Sequence, residues 1–258
     1  MTFRVSLNEG IVWVTGASSG IGRAVALEFA RRGYIVVATA RSDSKLIELA
    51  IEHENIRYIP ADVTNRKSME EVVRIIEQLY GPIVLAFLNA GGFFAGKAPF
   101  DDAFRKTIDL NFGGIVNCLE QLVPSMIKNK KGHIVLMSSV TGFGGMPYFS
   151  PDYIVAKGSV ILLAESIMHQ LESKNIRIQI VTPSFIDTGL ISKVIFNTPF
   201  IVETEKAAKI IVDGIHNKGF EITFPKITSY FLKLLNLFPY PIYFKLIKYV
   251  MKKINKRG

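Results

Sequence analysis

Seven short runs of apolar, mostly β-branched residues recur along this chain, and between them lie stretches with helical periodicity. The runs fall at residues 11–15, 35–39, 56–60, 83–88, 133–137, 176–181 and 221–224. The helical stretches fall near 20–32, 45–53, 68–80, 102–128, 153–173 and 204–217. A strand that is apolar throughout, rather than at alternate positions, must be covered on both faces. Helical crossovers between such strands give parallel pairing, and the right-handed crossover rule winds helices onto both sides. The expected fold class is therefore α/β, a Rossmann-type doubly wound parallel sheet of about seven strands. Ser68 with Glu71 reads as a capping box opening the third helix. Beyond it Met69, Val72, Val73, Ile76 and Leu79 make one buried stripe.

With 258 residues, 49% of them hydrophobic, the chain can bury a large core as one unit. No Ser/Pro/Gly-rich linker and no internal repeat divides it, so residues 1–225 are expected to form one domain. Residues 226–258 form an extension rather than a second domain. The first ten residues carry one arginine and no apolar run of signal-peptide length. Cys118 is the only cysteine, which fits a reducing, cytoplasmic setting and an inert buried thiol. The charge is unevenly placed. No acidic residue follows Glu221, and the extension carries +8 of the net +9. The body is nearly neutral, which argues against a nucleic-acid groove through it. His53, His133, His169 and His216 share no metal-ligand spacing with Cys118 or a carboxylate cluster, so no metal site is expected.

After the first run comes Thr15-Gly16-Ala17-Ser18-Ser19-Gly20-Ile21-Gly22, opening a helix. A phosphate needs backbone N–H groups unobstructed by side chains, and a helix N-terminus adds a favourable dipole. Gly16 suits the tight turn, Gly20 the approach of a pyrophosphate and Gly22 close helix packing, with Ser18, Ser19 and Ile21 completing the cradle. The second run ends Ala38-Thr39-Ala40-Arg41. An acidic residue here would take ribose hydroxyls, whereas Arg41 can pair bidentately with a 2′-phosphate. The expected cofactor is NADP(H).

In their order and spacing these segments resemble the short-chain dehydrogenases/reductases over residues 8–224. The resemblance continues through Asp62-Val63, Asn89-Ala90-Gly91, Asn111, Ser138-Ser139, Tyr153-x-x-x-Lys157 and Pro183…Thr188. It implies an oxidoreductase acting between C=O and CH–OH, with Asn111, Ser139, Tyr153 and Lys157 as catalytic residues. Tyr153 would deliver the proton, Ser139 hold the substrate oxygen, Lys157 bond the nicotinamide ribose, and Asn111 anchor a water linked to the lysine. Residue types argue the same way. A phenol of pKa ~10 is a poor acid near neutrality, and a lysine one helical turn away can lower it. By the same resemblance Asp62 and Val63 meet the adenine, and Asn89, Ala90 and Gly91 line the adenosine ribose. Pro183, Ile186 and Thr188 reach the carboxamide and phosphates. Two departures stand out. Ser139 precedes Tyr153 by 14 residues where the family commonly has 13, which leaves Ser138 open as the alternative, and Ser184 replaces the glycine usual after the proline.

Segments that line substrate pockets in the family supply Phe93, Phe94, Phe143, Met146, Tyr148, Phe149, Phe185, Leu190, Ile191 and Phe196 here. Such walls favour a bulky lipophilic ketone, since apolar burial yields ~25 cal/mol per Å². In residues 240–256, Tyr243, Leu246, Ile247, Val250 and Ile254 share one helical face, and Lys245, Lys248, Lys252 and Lys256 the other. That pattern is an interfacial membrane helix, a cover for the pocket, or a subunit contact. The resemblance implies a homodimer or homotetramer through the helices at 102–128 and 153–173. Three functions stay open: a reductase of a lipophilic ketone, an NADP⁺-dependent alcohol dehydrogenase, and a non-catalytic NADP(H)-binding protein at a membrane surface.

Overall fold

The computed structural model describes Ser6 and residues 9–96, 100–147, 149–187 and 201–255. Its strands are β1 (Ile11–Thr15), β2 (Val36–Ala40), β3 (Ile56–Pro60), β4 (Ile83–Leu88), β5 (Gly132–Met137), β6 (Ile176–Pro183) and β7 (Glu221–Phe224). They form one sheet in the order β3-β2-β1-β4-β5-β6-β7, and every neighbouring pair is parallel. The order reverses between β1 and β4, so the crevice for a ligand opens at the carboxyl ends of those two strands.

Alternate residues of each strand enter separate cores. Val12 and Val14 of β1 face α1 (Gly20–Arg31), α2 (Asp43–Glu52) and α7 (Thr204–Ile215), meeting Phe29, Leu49 and Ile211. Ile11 and Trp13 face the opposite layer of α3 (Arg66–Leu79), α5 (Gly114–Asn129) and α6 (Pro151–Glu172), meeting Ile76, Leu122 and Val160. Period-two alternation thus feeds two layers from a strand that is apolar throughout. Among the described residues α6 is the one helix long and apolar enough to cross a membrane. It is a core wall instead, since Ala156, Val160 and Ala164 are fully covered and Lys157 lies on the same helix.

Three local expectations change. The third helix begins at Arg66, and its cap is Asn65, whose side chain accepts from the Ser68 backbone N–H at 3.1 Å. Ser68 lies inside the helix, because Asn65 is the better-placed acceptor for the first-turn amides. The helix expected at 102–128 is interrupted. It runs as α4 (Asp102–Ile108), a π-turn (Asp109–Gly113) and then α5. The extension holds two helices where one was expected, α8 (Lys226–Leu235) and α9 (Tyr240–Asn255).

Candidate active site

The turn after β1 is built around its glycines. Gly16 and Gly20 have φ of 67° and 53°, values that side chains rarely adopt. A Cβ at Gly16 would lie 2.7 Å from the Ala90 Cα, and one at Gly22 would collide with the Gly16 carbonyl oxygen. Thr15 ties the turn to β4: its Oγ1 accepts from the Asn89 and Ala90 amides at 3.0 and 3.2 Å. Asn89 returns a bond from Nδ2 to the Thr15 carbonyl at 3.2 Å. At the start of α1, Ser19 is extended and its hydroxyl caps nothing, and no acidic residue occupies the first turn. That leaves first-turn N–H groups and a positive dipole end facing the crevice, a cradle for an anion with no room for larger residues.

Arg41 follows β2 directly, is exposed, and makes no hydrogen bond or ion pair among the described residues. Asp62 accepts from the Thr64 amide and hydroxyl at 2.9 and 2.8 Å, both on Oδ1. The neighbouring Val63 carbonyl accepts from Asn117 Nδ2 at 2.8 Å. Pro183 ends β6 beside Phe224, and Ile186 is buried and bridges to Val202. Thr188 lies outside the described residues.

Three of the four expected catalytic residues, Asn111, Tyr153 and Lys157, meet at the carboxyl end of the sheet, and Ser139 follows β5 at that same end. The π-turn brings the Asn111 side chain inward, where Nδ2 donates to the Gly92 and Thr107 carbonyls at 2.7 and 2.8 Å. Such single-turn widenings of a helix often mark functional sites. Lys157 is buried, and its Nζ donates to the Met137 carbonyl at 3.0 Å and lies 5.6 Å from the centre of the Tyr153 ring. Gly91 sits between these groups: a Cβ there would be 2.7 Å from Asn111 Oδ1 and 3.3 Å from Lys157 Nζ. Ser138 spends its hydroxyl on the Lys157 carbonyl at 2.8 Å, which ties β5 to α6. Ser139 Oγ accepts from the Thr141 amide at 3.2 Å and lies 3.5 Å from the Pro183 carbonyl. The loop after Ser139 opens with a 3-10 turn, Val140–Phe143, packed on α6, where a Cβ at Gly142 would lie 2.7 Å from the Lys157 backbone.

The electrostatics depart from what the Tyr-x-x-x-Lys spacing implies. Burial pushes the Tyr153 phenol up to about 12, and burial lowers the Lys157 ammonium to about 8. Desolvation of both groups outweighs their mutual effect. His133 and Cys118 stand apart from this chemistry. His133 is at the amino end of β5, bonded through Nε2 to Gln179 Oε1 at 2.8 Å and driven down to about 3 by burial. The Cys118 thiol is buried and pushed well up.

The expected substrate wall is divided. Phe94 and Phe143 pack onto the α3/α5/α6 core, and Phe93 and Phe185 are half-buried. Phe149 instead joins Leu235, Tyr243 and Ile247 of the extension. Phe143 and Met146 face those same helices. Asn236 Nδ2 donates to the Phe143 carbonyl at 2.6 Å, and the Tyr243 hydroxyl donates to the Gly145 carbonyl at 2.7 Å. Gly144 is needed for that contact, since its Cβ would lie 2.5 Å from Asn236 Oδ1. Tyr148, Leu190, Ile191 and Phe196 lie outside the described residues. Sequence reasoning missed the supporting groups Asn117 and Asn236, and the bonding roles of Thr15 and Tyr243, which it named only in the turn and on an apolar stripe. Their roles depend on partners distant in the chain, and no local pattern announces them.

Comparison with known proteins agrees with this geometry. The family model for short chain dehydrogenase matches residues 10–196, ending short of the 224 reached by the motif resemblance. An uncharacterized oxidoreductase of Myxococcus xanthus is 30% identical over 249 residues, 94% of this chain and 96% of its own. A 3-oxoacyl-[acyl-carrier-protein] reductase of Thermotoga maritima is 35% identical over 195 residues, 72% of this chain and 78% of its own. The crystal structure of a short-chain dehydrogenase from Streptomyces avermitilis superposes with a TM-score of 0.78 at 24% identity, over 88% of this chain and 92% of that one. With an oxidoreductase fold, a glycine cradle for a nicotinamide cofactor and a family match over most of its length, this chain belongs to the short-chain dehydrogenase family.

Proposed function

We propose that this oxidoreductase is NADP(H)-dependent and reduces a bulky lipophilic ketone, with Asn111, Ser139, Tyr153 and Lys157 as its catalytic residues. The observation that carries the reading is the meeting of Asn111, Gly91 and Lys157 beside the Tyr153 ring, at the sheet end where the glycine cradle opens. The cradle fits a dinucleotide, because the tight turn that only glycine permits at Gly16 and Gly22 leaves the first-turn N–H groups of α1 bare for a phosphate. When bound, the nicotinamide supplies the hydride.

Proton supply falls to the chain's own residues. The Tyr153 hydroxyl is protonated across the neutral range and is the proton donor to the carbonyl oxygen. The Ser139 hydroxyl holds that oxygen in line. Lys157, anchored on Met137, keeps a cation beside the phenol and stabilises the tyrosinate that forms. Asn111, with both Nδ2 protons committed to Gly92 and Thr107, fixes its Oδ1 toward the lysine side of the site. Arg41, exposed after β2, is the group assigned to the 2′-phosphate of NADP(H). Asp62 and Val63 are assigned to the adenine, Asn89 to Gly91 to the ribose, and Pro183, Ile186 and Thr188 to the carboxamide side.

Reduction is favoured over alcohol oxidation by the likeness to the 3-oxoacyl-[acyl-carrier-protein] reductase of Thermotoga maritima. The lipophilic substrate rests on Phe93 and Phe185, both half-buried in the segments that follow β4 and β6. A homo-oligomer is proposed through α5 and α6, where Ile127, Val155 and Leu162 are exposed. The test is NADPH oxidation against long-chain ketones, 3-oxoacyl thioesters and steroid-like ketones, beside small polar ketones. Turnover with the apolar panel supports the reading. Turnover confined to small polar ketones, or equal use of NADH, contradicts the corresponding part of it.

A further inference from the structure

The apolar stripe of α9 is already in use. Tyr243 and Ile247 are buried against Leu235 and Phe149, so the face expected to meet a membrane is bolted to the loop after Ser139. A different apolar surface remains uncovered. On α8 the exposed residues Ile227, Tyr230, Phe231 and Leu234 recur at intervals of three and four, which places them on one face. Leu237 and Phe238 in the turn, then Tyr240 and Phe244, continue it, with Leu237 79% exposed and Ile227 72%. Monomeric proteins rarely leave so many large apolar side chains together in water.

We propose that this outer surface of α8, the following turn and the start of α9 docks on an anionic lipid bilayer. Charge selects the occupant. Lys226, Lys245, Lys248 and Lys252 are exposed on the same two helices, and no acidic residue follows Glu221 in the sequence. Lys233 is spent internally, paired with Glu221 and lying 4.8 Å from the Phe143 ring centre. A second copy laid on this face would bring the same lysines with no carboxylate on either helix to meet them. An anionic headgroup layer meets them directly, and tyrosine rings with one polar end suit the boundary between acyl chains and headgroups. Tight packing of α9 on the rest of the chain makes the contact peripheral, with the enzyme body held outside the bilayer. The inference is independent of the reaction assigned to Tyr153.

The test is co-sedimentation of the full chain with vesicles of phosphatidylcholine alone or mixed with phosphatidylglycerol. Two variants accompany it: Phe231→Ser/Leu234→Ser/Leu237→Ser and Lys245→Gln/Lys248→Gln/Lys252→Gln. All six positions are exposed, and unchanged melting temperature and NADPH affinity check the fold. The wild type should pellet with the mixed vesicles, remain in solution with phosphatidylcholine alone, and release as salt is raised. The lysine variant should lose roughly a hundredfold in partition, from about fivefold per lysine near an anionic surface, and the apolar variant should lose binding comparably. A wild type that stays in solution with mixed vesicles overturns the proposal, as does equal pelleting of wild type and both variants. Loss of a subunit contact in the apolar variant, without vesicle binding by the wild type, assigns the face to a second copy and overturns it too.

Discussion

Single side chains decide the chemistry here through what surrounds them. Lys157 is a cation only below about 8, because burial lowers it, while burial holds the Tyr153 phenol protonated up to about 12. Reduction needs a protonated phenol beside a charged lysine. Below about 8 both conditions hold, and above it the cation is lost while the phenol keeps its proton. The expected kcat/KM for ketone reduction is therefore level below that pH and declines through it. A profile that stayed level into the ordinary lysine range would show that Lys157 acts without its charge. At Arg41, loss of a charge-assisted bond of about 1.5–3 kcal/mol should weaken NADPH roughly ten- to hundredfold on substitution by Ala, leaving NADH unaffected. Titration of both cofactors against the Arg41→Ala variant measures this directly.

Among the secondary elements, the strands were readable from sequence because the central parallel strands β1, β2 and β4 are buried on both faces and so almost wholly apolar. Their observed ends shift by only one or two residues from the apolar runs. Helix interiors were equally plain from their periodicity, but interruptions were not. The π-turn at Asp109–Gly113 follows α4, which at seven residues is too short to show a period of its own, so the change of phase across the turn did not stand out. The residues proposed for catalysis and cofactor binding were legible as motifs, yet the groups that seat Val63 and Asn89 were not, since Asn117 and Thr15 act across the fold. Helix α8 had a signal in the three- and four-residue spacing of Ile227, Tyr230, Phe231 and Leu234, which went unread beside the stronger stripe of α9. The cap of α3 offers a local check. Asn65→Ala should cost about 1 kcal/mol, whereas Ser68→Ala should cost much less, as measured by urea unfolding.

For the whole molecule, the extension works as part of the enzyme rather than as an appendage. Asn236 and Tyr243 reach back to the carbonyls of Phe143 and Gly145, within the loop that starts at Ser139. Each of these bonds contributes about 0.5–1.5 kcal/mol to the ordered loop. Combining Asn236→Ala with Tyr243→Phe should raise the KM for ketone severalfold and leave NADPH affinity unchanged, because the cradle after β1 lies on other elements. Steady-state kinetics with separate cofactor titration distinguishes the two effects. Equal weakening of both ligands would mean that the extension supports the sheet as a whole. The central claim, that Tyr153 protonates a carbonyl as hydride arrives, is tested by following deuterium from the reactive face of labelled NADPH into the alcohol carbon. The wild type should transfer the label, and Tyr153→Phe should bind NADPH with unchanged affinity yet transfer essentially none. Transfer by the phenylalanine variant at the wild-type rate would contradict the account.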